Sequence, residues 1–160
     1  MGSSSDKAID MEGDRDRSLE RIENRLDLIL QDKRLDAFNR RQELRARLNG
    51  CILATEKALT DKRAYEQSKQ DKQDLQKDIE NRLKIEIAEE TLGDKKRYTN
   101  QEGRDSALAI KLNENIEYQF LKKQYIEIMT ELAKTYDLLE ILKMKFRSAQ
   151  AEVELEKLEV

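Results

Sequence analysis

Apolar residues recur along this chain at steps of three and four, the spacing that lines one face of an α-helix. Leu19, Ile22, Leu26 and Ile29 open the pattern, Leu30 widens it, and Phe38, Leu44 and Leu48 resume it. Ser18 is placed to cap such a helix, although Arg21 stands where a capping box needs a glutamate. Asn49 and Gly50 follow, and both tolerate the left-handed conformation in which helices end. The spacing therefore predicts a first helix over 18–48 with a stop or kink after it. A second helix is predicted over 51–92, with Ile52, Leu53, Ala58 and Leu59 near its start and Leu75, Ile79, Leu83 and Ile87 near its end. Between them "TDKRAYEQSKQDKQD" is almost wholly polar, with Tyr65 its one large apolar residue. Such a stretch is either solvated or covered by a polar partner. Gly93 suits the turn that follows.

The third segment carries the strongest pattern. Leu121, Tyr125, Ile128, Leu132, Leu139, Leu142, Phe146, Ala149 and Val153 keep a heptad-like seam, flanked by Ile126, Met129, Ala133, Leu138 and Ile141. A stripe this broad predicts more than one neighbour. Leu121, Tyr125, Ile128, Leu132, Leu139, Leu142 and Phe146 are accordingly expected to assemble a homo-oligomer. The long helix is predicted over 116–157, after a short one over 100–112. Thr99 and Glu102 have capping-box spacing, and Asn113 or Asn115 offers a second start. The predicted class is all-α: a long antiparallel helical hairpin with an additional N-terminal helix, built into an oligomeric helical bundle. Residues 1–16, small, polar and acidic, are expected as a disordered tail, and 17–160 as one elongated helical domain.

Composition narrows the chemistry. Charged residues are 41% of the 160, hydrophobic ones 38% and aromatic ones 5%, too thin an apolar share for one compact core. There is no proline to interrupt a long helix. Without histidine there is no imidazole base or ligand, and five scattered glycines cannot form a phosphate-cradling loop. The single Cys51 has no intramolecular disulfide partner in this sequence and reads as a reduced, partly buried thiol. A non-enzymatic protein without cofactor or metal is expected. No apolar run approaches the ~20 residues of a membrane span, and no signal segment is visible, so a soluble, cytoplasmic protein is expected.

The net charge of −3 means that any affinity for nucleic acid has to come from a local basic face. Two candidates stand out. In "GDKKRYTNQEGR", Lys95, Lys96 and Arg97 precede a helix start, Tyr98 offers a ring for base stacking, and Arg104 lies a turn further on. Free backbone N–H groups at a helix start add to such a site. The other reading is a charged loop facing water, with Tyr98 packed under the hairpin. Between Lys33 and Arg47 lie Arg34, Arg40, Arg41 and Arg45, opposed only by Asp36 and Glu43. Counterion release needs several such charges acting together, while an ion-paired surface helix meeting Glu86, Glu89 and Glu90 accounts for the cluster equally well.

"RYTNQEGRDSALAIKLNENIEYQFLKKQYIEIMTELAKTYDLLEILKMKF" resembles a recurrent type of small phage-associated helical protein. The positions that carry it are Tyr98, Thr99, Asn100, Arg104, Leu108, Leu112, Glu117 and Tyr118. Across residues 51–155 the arrangement is also similar to the UvsY-like recombination mediators of T-even phages, which have a shorter and more aromatic helical region. The resemblance implies an oligomer that binds single-stranded DNA through Lys95, Lys96, Arg97 and Arg104, beside a RecA-like recombinase or a single-strand binding protein. It also implies a bacterial or phage-infected host cell. The competing expectation is a coiled-coil scaffold whose charged faces bind other proteins.

Overall fold

The computed structural model describes the backbone of residues 5–158 and the side chains of 15–158. Its elements are helix α1 (Ser5–Glu89), strands β1 (Thr91–Leu92) and β2 (Lys95–Lys96), helix α2 (Gln101–Glu114) and helix α3 (Ile116–Leu158). The fold is all-α apart from the two-residue ladder at the turn.

The two helices predicted on either side of Asn49-Gly50 are one element. Glycine in a helix costs about 1 kcal/mol relative to alanine, and packing offsets it: Leu44 and Leu48 before the pair, and Cys51, Thr55 and Ala58 after it, are buried or half-buried. Residues 5–16, expected in a disordered tail, form the first turns of α1, while 1–4 lie outside the described residues. At its other end α1 stops at Glu89, three residues short of the predicted limit, because Thr91 and Leu92 pair antiparallel with Lys96 and Lys95. Gly93 takes φ 66° in the two-residue turn between them, at the position where hairpin turns call for glycine.

The chain divides into two compact units. In the unit formed by 51–147, α1 and α3 run antiparallel with α2 packed at the tip. Ile79, Leu83 and Leu121 form a buried cluster, against which Leu108, Leu112 and Tyr118 pack. Ile87 and Ala107 are buried nearby. Three tyrosines cross from α3 to α1: Tyr118 donates to Glu80 at 3.2 Å, Tyr136 donates to Glu66 at 2.9 Å, and Tyr125 accepts from Gln73 at 3.2 Å. These residue pairs fix the antiparallel register. Burial, and then the Glu80 carboxylate, push the Tyr118 hydroxyl above its ordinary pKa.

The polar middle of α1 is not a solvated helix. Lys62, Tyr65, Lys69, Lys72 and Gln76 fall at steps of three and four and are half-buried, continuing the line from Ala58 to Ile79. Lysine stems cover apolar surface while their ammonium groups reach water. Lys62 shows the arrangement, with Nζ 4.9 Å from the Tyr136 ring centre and 3.7 Å from Glu66.

In the other unit, 1–50 with 148–160, the end of α3 packs on α1 through buried Leu44 and Ala149 and half-buried Val153. Arg47 donates two hydrogen bonds to Glu152, at 2.7 and 3.1 Å, and Arg40 lies 3.7 Å from Glu156. From Arg15 to Asp36 every side chain is exposed.

Candidate nucleic-acid and protein interfaces

The helix after the loop starts one residue later than its capping-box spacing suggests. Asn100, not Thr99, is the N-cap: its Oδ1 accepts from the Gly103 amide at 2.8 Å. Asparagine caps at least as well as threonine, and Gly103 leaves room for it, since a Cβ there would sit 2.7 Å from that oxygen. Asn115 separates α2 from α3. Its amide donates to Lys111 O, and its Oδ1 accepts from the Tyr118 amide at 2.7 Å, so one residue ends a helix and caps the next.

The loop spends most of its predicted binding groups on itself. Arg97 donates to Glu90 at 2.5 Å, and its backbone amide donates to the Glu90 carbonyl at 2.9 Å. Its guanidinium also lies 5.4 Å from the Tyr98 ring centre. Tyr98 is half-buried, next to Gly103, and so is not a free stacking platform. Arg104 folds back so that Nε donates to the Asn100 carbonyl at 3.4 Å. Lys111 completes the cluster, 3.4 Å from Glu90 and 3.9 Å from Glu86. The buried Oε2 of Glu90 has this ion pair but no aligned hydrogen bond. Lys95 and Lys96 stay exposed with no ion pair among the described residues.

The hydrogen bond from Arg97 is the largest influence on the Glu90 carboxyl and, with Lys111, holds it below its ordinary pKa against the opposing effect of burial. A depressed carboxylate stabilises the fold at pH values above its unfolded pKa. That contribution is lost as pH falls through the lower, folded value. Acidification from neutral pH to about pH 3 is therefore expected to loosen the tip, with a smaller acid-induced drop in Tm for Glu90→Gln than for the unmodified chain. Circular dichroism melts across that range make the comparison, and equal drops would remove Glu90 from the account.

The second basic cluster is divided. Arg40 and Arg47 are tied to Glu156 and Glu152, the acidic residues that oppose them lying on α3 and not at Glu86, Glu89 or Glu90. Arg34, Arg41 and Arg45 are exposed and have no ion pair among the described residues. Arg41 and Arg45 edge an open groove of about 350 Å³ with Leu44, Val153, Glu156 and Lys157.

The seven residues expected to join copies face inward. Leu121, Leu132 and Leu142 are buried, and Tyr125, Ile128, Leu139 and Phe146 half-buried, in the seam of the chain's own hairpin. A feature that the sequence displayed and the loop overshadowed is the uncovered stripe on α1. Leu19, Ile22, Leu26, Ile29 and Leu30 are all 51–58% exposed. Among the described residues no helix is long and apolar enough to cross a membrane. No family model, curated protein or solved structure matches this chain.

Proposed function

We propose that this protein is a non-catalytic coiled-coil scaffold that binds other proteins through exposed helix faces. One observation carries the reading: beyond the part of α1 that α3 covers, a continuous helix presents five large apolar side chains on one side, ringed by charges of both signs. Apolar stripes on helices bury themselves against other helices. The loop supports the same reading, because Arg97, Tyr98 and Arg104 maintain its shape.

A second reading draws on different residues. Lys95, Lys96, Arg34, Arg41 and Arg45 are exposed cations without ion pairs among the described residues. Repeated in an oligomer, they would suit an accessory of DNA recombination or replication in the cytoplasm, holding single-stranded DNA near a RecA-like recombinase or a single-strand binding protein.

Fluorescence anisotropy with labelled poly-dT separates the two. The scaffold reading expects no saturable binding at low salt, and no difference between the unmodified chain and the Lys95→Ala, Lys96→Ala double variant. Affinity that falls steeply with salt and weakens in the variant would overturn it in favour of the DNA accessory.

A further inference from the structure

We infer that two copies of this chain pair antiparallel through residues 15–40 of α1, so that the uncovered stripe of each packs against the same segment of the other. The inference rests on the scaffold reading and names its first partner. The extent of the surface is set by the fold. At Arg40 the ion pair with Glu156 marks where α3 begins to cover α1, and from Asp36 back to Arg15 nothing in the described chain does so.

The charges select direction and register. Consider a two-fold axis between Asp27 and Leu28. Leu26 of each copy then stands opposite Ile29 of the other, in the central layers. Ile22 stands opposite Lys33, whose stem covers it while the ammonium reaches Glu23 beside it. Arg25 stands across from Asp32. By symmetry each of these contacts occurs twice. Glu23, Arg25, Asp32 and Lys33 have no ion pair within the chain among the described residues. A parallel, in-register pair would instead bring Lys33 onto Lys33 and Asp36 onto Asp36 in the seam. An antiparallel pair centred on Asn24 would set Arg25 against Arg25 and Glu23 against Glu23. Of these three arrangements, only the axis at 27/28 sets opposite charges, Arg25 and Asp32, beside its central apolar layers, while at its ends Leu19 meets Asp36 and Arg15 meets Arg40.

The surface is also large enough. Five apolar side chains, each 51–58% exposed, bring on the order of 100 Å² apiece, so burying both stripes removes roughly 1,000 Å², the threshold for a specific interface. Residues 15 and 40 lie opposite each other in this register, so the overlap fills the uncovered length and stops where α3 begins.

The test is sedimentation velocity on the full chain, with circular dichroism to show that helicity is retained. The unmodified chain is expected to sediment as a dimer. Arg25→Glu alone and Asp32→Arg alone each put like charges across the interface twice, and each should weaken the dimer roughly tenfold or more. An equimolar mixture of the two variants should restore it. In the mixed pair the introduced glutamate of one copy meets the introduced arginine of the other, and the retained Asp32 meets the retained Arg25. That rescue is specific to an antiparallel pairing of 25 with 32. A monomeric unmodified chain, single variants that dimerise normally, or a mixture that fails to recover would each overturn the inference. A monomer without affinity for poly-dT overturns this pairing alone, whereas salt-dependent DNA binding overturns the scaffold reading whatever the mass.

Discussion

Ile79→Ala is expected to destabilise the hairpin by about 2–5 kcal/mol, the usual loss when a fully buried large aliphatic is truncated. Ile79 is 2% exposed, in the cluster where α1, α2 and α3 converge through Leu83, Leu121, Leu108 and Leu112. Three elements meet there, so the cavity has no single flexible wall that could collapse into it. Ile22→Ala removes the same atoms from a side chain that is 55% exposed. In the isolated chain it should cost no more than about 0.5 kcal/mol. Urea unfolding followed by circular dichroism reads both. The first should lower the midpoint strongly with little change in slope, while the second should act only where the protein is concentrated enough to pair. Equal effects at high dilution would show that α1 is covered within the chain.

Helices, turn and seam were legible in the residues for a simple reason. Helical periodicity reports which positions are buried, and α3 keeps that period from Leu121 to Val153 almost without interruption. What the period does not report is the identity of the neighbour. The same broad stripe that reads as an oligomer surface is satisfied here largely by α1 of the same chain, leaving Leu121, Leu132 and Leu142 with under a tenth of their surface exposed. Local signals misled where tertiary packing outweighed them, as at Asn49-Gly50, a good stop sequence held helical between Leu48 and Cys51. The basic loop was legible as a cluster of charges but not as a network. Arg97 and Glu90 are seven residues apart across a hairpin, and neither helix spacing nor composition announces that they meet. On α1 the opposite happened. Leu19 to Leu30 reads as an ordinary amphipathic stripe, and it took the position where α3's cover begins to show that it is bare.

The same logic gives a second large effect, at the polar middle of the hairpin seam. Replacing Lys69 and Lys72 together with leucine is expected to raise stability by about 2 kcal/mol or more, because half-buried positions facing α3 would gain apolar contact. Thermal melts should show Tm rising by several degrees. The gain should come with a loss of definition. In the unmodified chain the mostly polar line Lys62, Tyr65, Lys69, Lys72 and Gln76 interrupts the aliphatic one between Ala58 and Ile79. Sliding α3 by one heptad would therefore move Tyr125 off Gln73 and Tyr136 off Glu66 with no apolar gain in return. A leucine pair removes that asymmetry and makes the face attractive to α3 of another copy. The variant should form additional species in sedimentation, through the 51–147 unit and insensitive to Arg25→Glu. Were the double variant to stay in its original oligomeric state with an unchanged Tm, the lysines would have to lie on a solvated face. The polar seam would then have no part in choosing the register.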